Sequence, residues 1–264
     1  MKLNAFWTGS DLSYLEQLCL RSALEVGHEI DLWSYEAISN VPTGIRVRDA
    51  SEVMPQSMCV WNKRAKSFGV GADIFRILLQ KQNRGCYIDC DLLFLKPMTD
   101  SEYIFCEDGK RLVNNAVLKL PPDSPVIDPI LKLATSDLIV LPWWPLQRRI
   151  KQRLTALIGH QTKIDNLPWV ALGPGALTHF LKVHGLRDKA LPHDVFYPIP
   201  SKRAAEFFTP GAAVRKDITD RTIAVHLWHQ RLRAFKDAPP PVDSFIYEHC
   251  VRLGIAAEPK RLSA

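Results

Sequence analysis

Apolar and polar positions along this chain follow two periods, and the switches between them lay out a series of strands and helices. Residues 2–7, Lys-Leu-Asn-Ala-Phe-Trp, form a short apolar run ended by Thr8-Gly9-Ser10 and predict a first strand. Leu12, Leu15, Leu18, Ser22, Ala23 and Val26 then recur at helical spacing. Ser10 or Asp11 is the expected cap of that helix, and Gly27 is a suitable stop. Residues 29–35 read as a second strand. The opening is therefore β-α-β, the unit of a parallel sheet with a right-handed crossover.

Farther on, residues 36–60 give only weak strand and turn signals. Residues 72–83 predict a helix closed by Asn83-Arg84-Gly85, and 86–97 follow as one apolar strand stopped by Pro97. The rest reads as a strand at 114–118, a helix over 125–137, a turn entering a helix to Val183, a late strand over 222–228, and a C-terminal helix capped by Asp243 or Ser244. Neither an internal repeat nor a long linker is evident. The expectation is one α/β domain over 1–264, with a mostly parallel central sheet flanked by helices and an elaborated second half.

The strand over 86–97, Cys-Tyr-Ile-Asp-Cys-Asp-Leu-Leu-Phe-Leu-Lys-Pro, breaks the pattern. Asp89 and Asp91 sit inside an apolar run, two apart, so that in a strand they share a face. Burying one carboxylate costs several kcal/mol, and two together need a shared proton or a cation. A divalent metal with oxygen ligands is the simplest answer. A solvated turn, the usual setting for Asp-x-Asp, does not suit these flanks.

Three other features have both a structural and a functional reading. Asp73 and Arg76 lie three apart near a helix start, which suits a dipole-favoured carboxylate and its ion pair; Gly85, however, returns the chain from that helix directly into the acidic strand. His226 lies in an apolar strand on the face of Ala224 and Trp228. A lone strand histidine is ordinarily a core residue, and imidazole is also an ordinary metal or phosphate ligand. Gly173-Pro174-Gly175 is either a turn before a helix or a place where backbone approaches a ligand.

Composition narrows the class. The chain has 264 residues, 47% hydrophobic and 23% charged, which is ordinary for a soluble globular protein. A net charge of +6 suits an anionic partner. The six cysteines form no C-x-x-C pair, which argues against a zinc ribbon and a disulfide scaffold. No apolar run approaches the ~20 residues of a membrane span, and the N-terminus lacks a secretory apolar region. The expected location is cytoplasmic.

Residues 139–160 stand apart. Pro142-Trp143-Trp144-Pro145 precedes a segment in which Leu146, Ile150, Leu154, Leu157 and Ile158 form one helical face, with Arg148, Arg149, Lys151 and Arg153 around the rest. No acidic residue occurs between Leu138 and Ile164. Tandem tryptophan before a basic amphipathic helix fits a segment lying on an anionic membrane surface, here the inner face. The same pattern fits a solvated helix packing its stripe on the domain.

Taken in order, these segments resemble the glycosyltransferases with a DXD-containing sugar-binding region, among them the α-1,4-galactosyltransferases and α-1,6-mannosyltransferases, and more distantly the glucosylating domain of large clostridial toxins. The matching segments are Phe6-Trp7-Thr8-Gly9, residues 27–35, Gly-Ala-Asp-Ile-Phe-Arg at 71–76, Arg-Gly-Cys-Tyr-Ile-Asp-Cys-Asp at 84–91, Asn114-Asn115, Gly173-Pro174 and Val225-His226-Leu227-Trp228. Ala72 departs from the usual Ser, and Arg84 from the usual Gly.

The resemblance implies a GT-A-type nucleotide-sugar-binding fold, a nucleotide-diphosphate sugar donor (a UDP-sugar above others), Mn²⁺ or Mg²⁺, retention of configuration, a glycan or glycolipid acceptor, and no nucleic-acid partner. It assigns Asp89, Asp91 and His226 to the metal. Asp73, Arg76 and Asn115 fall to the reacting sugar, and Trp7, Thr8, Gly173 and Trp228 join Asp73, Arg76, Asp89 and His226 around the donor. Two competitors remain. A haloacid-dehalogenase-type phosphatase also places Asp-x-Asp after an apolar strand, but near its N-terminus and with Thr or Val where Leu93 stands. A catalytically dead sugar-binding protein is disfavoured by the intact acidic set.

Overall fold

The computed structural model describes residues 1–211 and 214–255. Strand β1 (Lys2–Phe6), helix α1 (Tyr14–Glu25) and strand β2 (Glu29–Ser34) form the expected β-α-β unit, with β1 and β2 parallel in register Lys2↔Glu29 to Phe6↔Trp33. Helix α1 starts later than its expected cap. Ser13, not Ser10 or Asp11, closes its first turn, because Glu16 at the third helical position returns to the Ser13 amide at 2.8 Å and completes a capping box.

Strand β3 (Arg46–Asp49) adds a parallel edge to β2 within the weakly patterned stretch. Its Arg46 and Arg48 keep that edge charged, which protects unpaired backbone from other chains. Helix α2 (Gly69–Lys81) leads into β4 (Cys86–Ile88), parallel to β1. Strands β6 (Ile104–Glu107) and β7 (Val113–Lys119) complete a sheet of order β3-β2-β1-β4-β7-β6, in which β7 runs against both neighbours. This six-stranded, largely parallel sheet between helices is the α/β arrangement expected, compatible with a GT-A-type fold.

Side-chain alternation divides the core by sheet face. Leu3 and Ala5 of β1 join Leu12, Leu20, Ile30 and Leu32 on the α1 side. Phe6 and Trp33 join Ile74 and Phe75 of α2 on the other, where helices α3 (Ile127–Ala134) and α5 (Ala176–Val183) also pack. A third cluster gathers α1, the short helix α6 (Val214–Asp217) and α7 (Phe245–Leu253), the last capped by Ser244. Helix α4 (Leu146–Ala156) is the element foreseen at 139–160.

The acidic run is not one strand. It divides into β4 and β5 (Leu92–Phe94), and β5 leaves the main sheet to pair antiparallel with β8 (Ala224–His226). Asp89-Cys90-Asp91 spans the break, so the two carboxylates do not share a strand face. The backbone remains satisfied across the gap: the Asp89 amide donates to Ala116 O at 2.7 Å, and the Leu227 amide donates to Asp91 O at 2.9 Å. A continuous ladder would have sent both side chains into one apolar layer, and the break turns them into the space between the sheets.

Candidate active site

That space is a cleft of about 650 Å³, within the usual range for a small-molecule site. Trp7, Asp73, Arg76, Asp89, Asp91, Asn115, His226 and Trp228 all line it. Thr8 and Gly173 do not appear among its lining residues.

Strand β8 brings His226 to the acidic break, since the antiparallel register sets His226 opposite Leu92. Its Nε2 lies 3.1 Å from Asp91 Oδ1, and its buried Nδ1 has no hydrogen-bond partner. Ligand atoms of Asp89, Asp91 and His226 all fall within 4.8 Å of one another. Two carboxylates and one imidazole, whose Nδ1 is orphaned, form a donor set suited to Mn²⁺ or Mg²⁺.

Two neighbours fix the imidazole: Trp228 meets it edge-on with centroids 4.2 Å apart, and Tyr197 does so at 5.5 Å. Trp228 takes a left-handed backbone conformation, φ +60° and ψ +55°, and its indole donates to Ile199 O at 2.8 Å. A bulky residue in this region stores about 1–3 kcal/mol of strain, and such strain clusters at functional sites.

Burial opposes ionisation of Asp91, but His226 outweighs it and holds the carboxyl well below the usual carboxylate range. The His229 backbone amide also donates to Asp91 Oδ2 at 2.8 Å. Asp89 is more open and sits on the other side of the balance: burial lifts its carboxyl, Arg76 pulls it back, and Asp91 lifts it again. Burial opposes protonation of His226 as well, yet Asp91 raises it above the ordinary imidazole range.

Arg76 joins the two acidic groups. Its Nη2 lies 3.1 Å from Asp89 Oδ1 and its Nε 3.7 Å from Asp73 Oδ1, while Nη1 donates to the Asn115 carbonyl. The guanidinium stacks over the Tyr87 ring at 4.4 Å, and the Tyr87 hydroxyl donates to Asp89 Oδ1 at 2.9 Å. The Asn115 side chain donates to Asp73 Oδ1 at 2.8 Å. Burial pushes the Asp73 carboxyl up to about 6, against the pull of Arg76 and that hydrogen bond. At neutral pH Asp73 is therefore mainly an anionic acceptor.

Gly173 has a different neighbour from the ligand its sequence context suggested. It lies in the kinked turn Ala171–Gly175 at φ −85°, so the constraint there is space and not backbone strain. A Cβ at this position would stand 2.5 Å from Asp73 Oδ1 and 2.6 Å from Oδ2. The glycine makes room for the carboxylate. Gly173→Ala is expected to displace Asp73 from Asn115 and lower kcat/KM about 10- to 100-fold, since small misplacements of positioning groups have effects of that order. Unchanged kcat/KM would remove Asp73 from the reacting geometry.

Sequence reasoning missed Tyr87 and His229. Tyr87 stands two residues before Asp89, and that spacing was its only local signal. His229 had none: its ring meets Trp7 at 5.9 Å and Glu16 Oε1 at 2.6 Å, contacts that depend on distant chain segments. Trp7 donates its indole N–H to Asp11 O at 3.0 Å, which fixes the ring at the cleft wall.

No curated protein matches this chain. Residues 165–254 match the family described as the alpha 1,4-glycosyltransferase conserved region. The matched segment contains Gly173, His226 and Trp228; the cleft joins His226 and Trp228 to the acidic break that lies outside the segment, and Gly173 packs against Asp73. Through that region, residues 165–254 of 264, the chain is similar to the α-1,4-glycosyltransferases, which supports its being a glycosyl-transferring enzyme.

Proposed function

We propose that the cleft takes a nucleotide-diphosphate sugar, a UDP-sugar above others, together with Mn²⁺ or Mg²⁺, and transfers its hexose with retention to a glycan or glycolipid acceptor. The observation that carries this reading is the convergence of Asp89, Asp91 and His226 from two sheets onto one point. These three residues would hold the metal, which when bound offsets the charge that develops on a departing diphosphate. Residues 1–264 would act as one catalytic unit, with 139–160 inserted on its surface.

The chain's own groups have separable tasks. Asp73, anionic and held by Asn115 and Arg76, accepts hydrogen bonds from donor-sugar hydroxyls. Arg231 and Arg233, on the cleft wall after β8, supply positive charge for the phosphates. Trp7 offers an indole face to the base. Asp73, Asp89 and Asp91 are each engaged by basic or amide neighbours, so none is left as an unencumbered nucleophile. The route in keeping with this is attack by the acceptor oxygen on the face the diphosphate leaves, held by positioning.

The test is a panel of UDP-, GDP- and ADP-sugars assayed for nucleotide release with Mn²⁺ and again after chelation. Cleavage of one sugar nucleotide, lost with EDTA and restored by Mn²⁺, is expected. Metal-independent cleavage, or hydrolysis of simple phosphomonoesters with every sugar nucleotide intact, would overturn the proposal.

A further inference from the structure

Helix α4 rests on its polar side and shows its apolar side. Gln152 is its buried residue, and both ends of that amide bond the Thr162 backbone, Nε2 to O at 3.1 Å and Oε1 from N at 3.2 Å. Leu146, Ile150 and Leu154, one turn apart, are exposed, and the stripe continues through Leu157, 82% exposed, and Ile158, 70% exposed. A helix packing on its own domain would have the reverse arrangement. Of the two readings open for 139–160, internal packing of the stripe is therefore set aside, while the tandem Trp143-Trp144 of the membrane reading packs into the core and does not face outward.

The cations of α4 also lack a carboxylate partner. Among the described residues Arg148, Arg149, Lys151 and Arg153 make no ion pair; Arg148 instead lies over the Trp144 ring at 3.9 Å. A second exposed apolar group lies beside the cleft. The segment after α4 is pinned on the 61–68 loop by Asn62 Nδ2 to Leu167 O at 3.0 Å and by Lys63 to Asp165 at 2.7 Å. There Trp61 and Phe68 meet edge-on at 4.9 Å and stay exposed, beside exposed Trp169 and Val170. Gly69 permits this: a Cβ in its place would come within 2.4 Å of the Trp169 ring. Trp169 and Val170 line the same cleft as Asp73 and Asp89.

We propose that α4 and this aromatic rim seat on an anionic lipid bilayer, and that the acceptor enters the cleft from that surface as a lipid-linked glycan. Charge selects the occupant. An apolar stripe flanked by the exposed cations Lys151 and Arg153 matches a layer of anionic headgroups over hydrocarbon, whereas the same face of a second copy would set cations against cations. The acceptor assignment rests on the transferase reading above; the bilayer assignment does not.

The experiment is sedimentation of the full chain with phosphatidylcholine vesicles, with and without 30% phosphatidylglycerol, over a salt series. Binding to the anionic vesicles only, weakened by salt, is expected. The double variant L154E/L157E, and separately K151E/R153E, should each weaken it at least about tenfold. Both pairs are surface residues away from the cleft, so nucleotide-sugar cleavage without acceptor should be unchanged. No binding to anionic vesicles at low salt, equal binding by wild type and both variants, or light scattering showing that the patch holds two copies together would overturn the bilayer assignment. Loss of vesicle binding with donor cleavage intact supports it. Donor cleavage absent in every form defeats the transferase reading and leaves the vesicle result standing.

Discussion

If the proposed metal site is right, Asp91→Asn is expected to reduce turnover about 10²- to 10³-fold, roughly 3–4 kcal/mol of lost transition-state stabilisation at about 1.4 kcal/mol per decade. The substitution preserves shape. Asparagine can still accept from the His229 amide, which now bonds Asp91 Oδ2 at 2.8 Å. What it loses is the charge that holds His226 at 3.1 Å and that would complete the donor set with Asp89. The effect should exceed that of Tyr87→Phe, which removes one neutral donor from Asp89 and leaves both carboxylates in place. A Mn²⁺ titration of turnover separates the outcomes. A large loss that excess metal partly restores fits a ligand, whereas unchanged turnover and metal response would remove Asp91 from any metal site.

Glu16→Ala should lower stability by about 3–5 kcal/mol, the usual result of breaking a buried ion pair from one side. Glu16 is almost fully buried, meets Lys236 and His229, and closes the capping box of α1. Removing it leaves the Lys236 ammonium, only 12% exposed, beside the His229 ring with no counter-charge. The segment that follows Trp228 is thus registered on α1 by this carboxylate, together with the Tyr14 hydroxyl, which donates to Phe235 O at 3.0 Å, and that segment delivers the His229 amide to Asp91. Activity should therefore fall along with stability, though less than in Asp91→Asn.

The pH dependence of this pair has a definite sign. Burial raises the Glu16 carboxyl, but His229 and Lys236 outweigh burial and bring it from 4.5 to about 2. A carboxyl lowered in the fold adds stability that is complete above its unfolded value and is lost as pH falls through the folded one. The drop corresponds to roughly 3 kcal/mol at 1.36 kcal/mol per pH unit. Denaturant unfolding at pH 7 and pH 3 should show a large gap between wild type and Glu16→Gln at the higher pH and a narrower one at the lower. A gap independent of pH would assign the effect to packing alone.

Much of the framework could be read locally. The β-α-β opening, α2, and the Ser244 cap follow from apolar periodicity and terminal residues, because helix and strand periods act over neighbouring positions. The charged edge β3 could not be read this way, since Arg46, Arg48 and Asp49 leave it little apolar signal, and β6, though apolar over Ile104–Cys106, is too short to show a period. The acidic run illustrates the limit. Its apolar flanks suggested a continuous strand, but strand pairing is set by distant partners: β4 pairs with β1 and β7, and β5 with β8, more than a hundred residues away.

By itself the sequence determined the acidic pair and the residue types that would accompany it, because unpartnered carboxylates in an apolar run are costly wherever the chain goes. It also determined that α4 would be amphipathic. Only the tertiary structure decided that Asp89 and Asp91 meet across a break, that His226 faces them with Nδ1 unbonded, and that Gly173 makes room for Asp73. The same holds for the outward face of α4. Periodicity fixes which side chains share a face of a helix, but which face is covered depends on what the rest of the chain brings against it, and here that is Thr162 on the Gln152 side.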